Sequence, residues 1–238
     1  MKLRLLLGAA AALSFAASPA AAAAAALPVG QSTETIRLAL LLGLMALIPA
    51  LLICMTSFVR IIVVLSMIRH AFGMPETPPS QVLLSLAIFL TAFSMMPTFT
   101  ALNQNAVQPF MKGAITVEQG LNQGAEPLRA FMLRQVRDKD LETVYRISKT
   151  PLPETAAEVG LMQLTTAFML NELRVAFKIG FVILLPFLLI DLVVSAILLS
   201  LGMLMVPPST LSLPIKILMF VLIDGWSLVL EGVLGSFR

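Results

Sequence analysis

Phe177 to Val206 reads FKIGFVILLPFLLIDLVVSAILLSLGMLMV, a stretch in which Lys178 and Asp191 are the only charged residues. About 20 apolar residues suffice for a helix to cross the hydrocarbon core of a bilayer. No water reaches backbone groups there, so a spanning segment must pair its N–H and C=O groups internally, and the stretch is read as a helix. Pro186 breaks its middle, and Gly202-Met-Leu-Met-Val-Pro-Pro208 ends it, because proline has no N–H and clashes with the preceding turn.

Working outward, three more stretches have the same character. Ile36 to Ile68 is interrupted by Pro49 and Arg60, Gln81 to Leu102 has Pro97 near its end, and Leu213 to Leu234 carries Lys216, Asp224 and Glu231. Composition agrees with a membrane chain. Of 238 residues, 58% are hydrophobic and 12% charged, against about 25% charged in a soluble domain. The mean hydropathy is +0.95. The expected fold is an all-α membrane protein of about four long, Pro-broken hydrophobic helices with one helical insert.

That insert, residues 103–172, holds most of the charge. Turn-rich stretches Gly113–Gly124 and Pro151–Glu154 bracket a helical pattern from Pro127 to Ser148. Within it Leu128, Phe131, Met132 and Val136 recur at spacings of three and four, which makes one apolar stripe. Its charges, Arg134, Arg137, Asp138, Lys139, Asp140 and Glu142, are of mixed sign and fit a solvated helix face. Residues 27–102 and 173–238 form a hydrophobic helical hairpin on either side.

Residues 1–26, MKLRLLLGAAAALSFAASPAAAAAAA, have the plan of a bacterial signal peptide: Lys2 and Arg4, an apolar core from Leu5 to Ala17, then an Ala run with many small-residue cleavage sites. Cleavage near Leu27 would start the mature chain outside the cytoplasm; the alternative reading is an uncleaved first transmembrane helix, against which the short, Ala-weighted apolar core argues. Arg60, Arg69 and His70 flank the turn after the first stretch, and Lys216 follows Pro207-Pro208. The positive-inside rule puts both turns in the cytoplasm, and the insert and C-terminus in the periplasm. The two signals give one topology.

The chemistry of catalysis is missing from the pattern. One histidine, His70, and one cysteine, Cys54, stand apart, so neither a metal-ligand cluster nor an internal disulfide is expected. There is no G-x-x-x-x-G-K-[ST] phosphate loop, no H-E-x-x-H and no G-x-S-x-G. Net charge is +3, with no basic tract interleaved with aromatics, so nucleic acid is not expected as a partner. The reading is of a protein that is not an enzyme and has no cofactor.

What stands out is charge inside apolar stretches. A carboxylate at that depth costs a few kcal/mol and should face protein or water. Asp191, Asp224 and Glu231, with Lys178 and Lys216 as candidate partners, are read as a polar seam, either between subunits or along a wet pore, or else as ion pairs inside a helical bundle. Met203 and Met205, with Leu204 between them, stand at the break before Pro207. Methionine is flexible and unbranched, and can close around variable shapes. Chance placement is the competing explanation, since the chain has 14 methionines.

Several motifs resemble those of a known family. PIKILMFVLIDGW (Pro214–Trp226) looks like the C-terminal signature of the FliP proteins of flagellar biosynthesis and their injectisome counterparts, and AFMLNELRVAFKIGF (Ala167–Phe181) is similar to the family's other signature. Asn171 stands where the family usually has a small hydroxyl residue. MTSFVRIIVV (Met55–Val64), PFLLIDLV (Pro186–Val193), GMLMVPP (Gly202–Pro208) and EPLRAFMLRQ (Glu126–Gln135) match as well. The resemblance covers essentially Ile36 to the C-terminus.

It implies a ring of five copies that joins FliQ-like and FliR-like membrane proteins and other export-apparatus proteins to form a type III protein export gate. Unfolded protein substrates would pass through it. The family's ring is a helical cone raised from the inner membrane toward the periplasm, so the apolar stretches would be buried partly against neighbouring subunits. Consecutive methionines close the family's channel; here the match is Met203, Leu204 and Met205, with Leu204 in place of the central methionine. Leu128, Phe131, Met132 and Glu172 become candidate subunit contacts. The signal peptide and the Pro207-Pro208 pair favour the flagellar over the injectisome branch. A secondary transporter also uses broken helices and buried carboxylates, but the two halves show no internal repeat. A scaffold that never lines the path is a third reading.

Overall fold

In the computed structural model, the described residues are 53–74, 77–237 and scattered positions between 36 and 50. The scattered positions are helical and belong to a unit, Met1–Ala50, separate from Leu51–Arg238. The expected signal peptide lies outside the described residues. No strand occurs among the described residues.

Among the described residues from Phe58 onward, nine α-helices follow one another: α1 Phe58–Ala71, α2 Ser80–Ser94, α3 Met96–Leu102, α4 Gln108–Met111, α5 Val117–Gln135, α6 Asp138–Ser148, α7 Leu161–Ser200, α8 Ser209–Leu222 and α9 Gly225–Leu234. A π-helical turn, Asn103–Val107, joins α3 to α4. The axis is α7, 40 residues long and, among the described residues, the one single helix long and apolar enough to cross a membrane. At about 1.5 Å per residue it is roughly 60 Å long, twice the hydrocarbon core. Two bent pairs pass the same length and apolarity test only if each is taken as one broken span: α2 with Met96–Met111, bent by 65°, and α8 with α9, bent by 68°.

The breaks have local causes. Met95 leaves helical geometry just before Pro97, which occupies the first turn of α3, the one place where a missing N–H costs nothing. Between α8 and α9, Asp224 adopts a left-handed conformation at φ 50°, which Asp tolerates better than a branched residue. Gly202 does the same after α7 at φ 72°. The first apolar stretch is interrupted too: Met55–Ser57 form a turn before α1.

α7 starts at Leu161 and runs through position 172 into the apolar stretch. The insert's predicted helix is two. α5 ends at Gln135, Val136 and Arg137 are extended, and α6 starts at Asp138. α5 also begins earlier than its glycines predict. Thr116 Oγ1 accepts from Gln119 N–H while the Gln119 side chain accepts from Thr116 N–H, a reciprocal cap that satisfies two orphan donors. Gly120, Gly124 and Pro127 then lie inside the helix.

Two apolar clusters hold the unit together. In one, Ile61, Val64, Leu65 and Ile68 on a single face of α1 pack with Ala176 and Phe187 of α7. Phe72 stands edge-on to both Phe187 and Phe220, with centroids 5.2 and 5.1 Å away. In the other, Leu128, Phe131 and Met132 of α5 meet Leu164 and Phe168 of α7, Tyr145 of α6 and Met95.

Candidate functional site

Arg60, in the first turn of α1, points into the interior and is 1% exposed. Its Nε donates to Glu172 Oε2 at 2.8 Å and its Nη2 to Glu172 Oε1. Nη1 donates to Ser236 Oγ at 2.8 Å and to the Ser236 carbonyl at 2.9 Å. Nη2 also reaches Gln135 Oε1 at 3.4 Å, and the guanidinium lies 4.0 Å from the Phe237 ring centroid. One side chain thus ties α1, α5, α7 and the C-terminal segment. A buried charge survives only when paired and fully hydrogen-bonded, and Arg, with five donors in a fixed fork, can serve this many acceptors.

A second junction lies beside it. Asn171 Nδ2 donates to the Gln135 carbonyl at 2.9 Å, at the C-terminus of α5. Asp140 of α6 is buried and accepts from Arg174 of α7 and, at 3.3 Å, from Arg137. The signature around Asn171-Glu172-Leu-Arg174 therefore docks the insert on α7.

Farther along α7, Lys216 Nζ donates to Asp191 Oδ2 at 2.6 Å and to the Ala71 carbonyl at 3.1 Å. Ala71 ends α1, where carbonyls lack intrahelical partners and a cation is favoured. Of the five residues expected in a polar seam, the structure brings together these two. Lys178, Asp224 and Glu231 are exposed, and none is in an ion pair with another described residue. Between the Asp191–Lys216 pair's two helices lies the Gly202–Pro208 loop. Met203, Leu204 and Met205 are 42%, 76% and 97% exposed, so the described chain covers Met203 in part and leaves Leu204 and Met205 largely bare.

The residues expected at subunit contacts, Leu128, Phe131, Met132 and Glu172, are all buried inside this chain's own core, Glu172 at 0% exposure. Within the chain, Leu164 and Phe168 pack on the stripe and Arg60 pairs with the carboxylate. Arg60 was the residue missed. Its signal in the sequence is a lone arginine in an apolar run, a position where charge requires a partner; as a membrane-flanking cation it would lie at the surface, and it does not.

These features define an all-helical protein with a helix able to cross a bilayer, internally tied by buried ion pairs, and with an uncovered apolar loop. Residues 41–233 match the FliP family. The flagellar biosynthetic protein FliP of Pectobacterium carotovorum subsp. carotovorum is 47% identical over 209 residues, 87% of this chain and 81% of that one. That of Bacillus subtilis (strain 168) is 43% identical over 205 residues, 86% and 93% of the two chains. That of Caulobacter vibrioides is 44% identical over 209 residues, 88% and 79%. The chain belongs to the FliP family.

Proposed function

We infer that this chain is a channel-forming subunit of the flagellar type III protein export gate, passing unfolded export substrates across the bacterial inner membrane. It would work in a ring of about five copies with FliQ-like and FliR-like membrane proteins. Family membership supports the flagellar assignment, since the relatives named above are flagellar biosynthetic proteins.

The observation that carries the channel role is the bare apolar loop. Three large apolar side chains, Met205 nearly fully exposed, stand at the end of the longest apolar helix. Exposed apolar groups at a chain reversal are unfavourable in water unless something covers them. Copies of the same loop, brought together around an axis, would cover one another. An unfolded chain presents side chains of every size, and a collar of flexible thioethers can yield to each and close behind it.

The Asp191–Lys216 pair supports a division of labour. It fixes α8 to α7 and, through Ala71, to α1, so the loop between α7 and α8 springs from an anchored base. A gate needs this combination of a soft tip on a firm mount. The remaining carboxylates, Asp224 and Glu231, are exposed on this chain and are free to line a wet path or meet a partner.

The test is the mass of the intact membrane complex, purified through a C-terminal tag and weighed by native mass spectrometry. A mass near five copies, with or without small membrane partners, supports the gate. A monomer or dimer without partners would return a small-solute transporter to the front.

A further inference from the structure

Beside the Arg60 junction a groove of about 600 Å³ opens between α7 and α9, within the usual size of ligand sites. Its two ends differ. Along α7 its lining runs from Asn171 through Val175 to Lys178, with Arg137 also lining it, and from Ile179 to Phe187 the wall is apolar. The apolar wall is one face of α7, and at 1.5 Å per residue it extends about 12 Å. The charged residues lining the groove are Arg60, Arg137 and Lys178, with no carboxylate among them.

The charge at the mouth is not neutralised within the chain. Arg60 is balanced by Glu172. Arg137 shares the single carboxylate of Asp140 with Arg174. Lys178, one turn beyond Arg174, is exposed and in no ion pair with a described residue. Arg137 and Arg174 thus share one carboxylate, and Lys178 is paired with none among the described residues. Lys178 is also the last cation before the charge-free run Ile179–Ile190, the position at which a lysine meets the headgroup layer while the following residues enter hydrocarbon.

We propose that this groove binds an anionic phospholipid, with the phosphate held by Lys178 and Arg137 and an acyl chain lying along α7 toward Phe187. The polarity of the groove matches that of the lipid end for end. A helix from another protein would have to bring its own carboxylates to the mouth and remain apolar along the wall. The proposal is independent of the gate reading, because a lipid site of this kind is compatible with any role in the membrane.

Two features of the groove make the test direct. Gly232 of α9 lines it, and a Cβ placed there meets nothing within 4 Å, so a side chain can start there and Gly232→Leu adds bulk to the groove. Trp226, the chain's single tryptophan, stands edge-on to Phe220 with centroids 5.4 Å apart, and Phe220 lines the groove.

The full chain is placed in nanodiscs containing phosphatidylglycerol or phosphatidylcholine with brominated acyl chains, and quenching of Trp226 is read. Brominated phosphatidylglycerol should quench at about thirtyfold lower mole fraction than brominated phosphatidylcholine, as two cations at a membrane surface give at about 1 kcal/mol each. Lys178→Gln, which alters an exposed residue, should lower that preference several-fold. Gly232→Leu should remove the component specific to phosphatidylglycerol. Equal quenching by both lipids would mean contact with bulk bilayer only and overturns the proposal. So does a preference unchanged in Lys178→Gln. Protection of Trp226 from both lipids overturns it too, and assigns the groove to another protein chain.

Discussion

Arg60 and Glu172 are 112 positions apart in the chain and joined inside it, Nε to Oε2 at 2.8 Å, at 1% and 0% exposure. Removing one partner leaves the other charge in an apolar interior, which costs about 3–5 kcal/mol. Replacing both by apolar side chains removes the desolvation problem and costs far less. Glu172→Ala and Arg60→Ala should each lower the midpoint of denaturant unfolding in detergent sharply. Arg60→Met with Glu172→Leu should recover most of the loss. If Glu172→Ala left unfolding unchanged and only dissociated the complex, the residue would be an intersubunit contact after all.

Gly180 sits where α1 crosses α7. A Cβ there would lie 2.3 Å from Met67 Sδ, 2.8 Å from its Cε and 3.2 Å from its Cβ. The far end of methionine can swing away, but its Cβ is fixed to α1, so the helices must part slightly. Gly180→Ala should cost about 1–3 kcal/mol, as overpacking does. Met67→Ala in the same chain should restore part of it, a coupling that thermal unfolding of the two single variants and the double variant would measure.

The Asp191–Lys216 pair is unequal. Lys216 has 5% of its side chain exposed and Asp191 41%. Asp191→Asn strands a buried ammonium, whereas Lys216→Met strands a carboxylate that water already reaches. Asp191→Asn should therefore be the more damaging, by about 1–3 kcal/mol after allowance for solvent. Because this pair anchors the base of the Gly202–Pro208 loop, limited proteolysis at that loop should quicken in both variants. Equal damage from the two substitutions would mean that the interior is wetter than its burial implies.

What could be read in advance divides along a physical line. The charge-free face of α7, the stop at Gly202 and the shared face of Leu128, Phe131 and Met132 are local properties, set by spacing and by backbone preference, and they lie where spacing put them. The start of α7 at Leu161 was hidden because Asn171, Glu172 and Arg174 interrupt the apolar pattern; their partners, Gln135, Arg60 and Asp140, come from distant segments. The glycines and proline of α5 read as breakers, while the Thr116–Gln119 cap that outweighs them is a single short motif. Periodicity also identifies an apolar face without saying what covers it. On α5 the stripe meets Leu164 and Phe168 of the same chain's α7, a partner that spacing within α5 does not name.

Met203, Leu204 and Met205 carry the last prediction. If they close a channel, the seal depends on apolar bulk and side-chain flexibility, not on sulfur as such, because Leu204 already stands among them. Leu204→Met should therefore leave both motility and membrane tightness nearly unchanged, a volume-conserving swap at an exposed site. Replacing all three by Gly removes the bulk and should let ions and small solutes leak through cells that assemble the complex, measured as growth loss in high-salt medium or dye entry. The substituted loop is exposed and makes no core contact, so protein level should hold. Loss of motility without leak at normal protein level would place these residues in a scaffold that does not line the path.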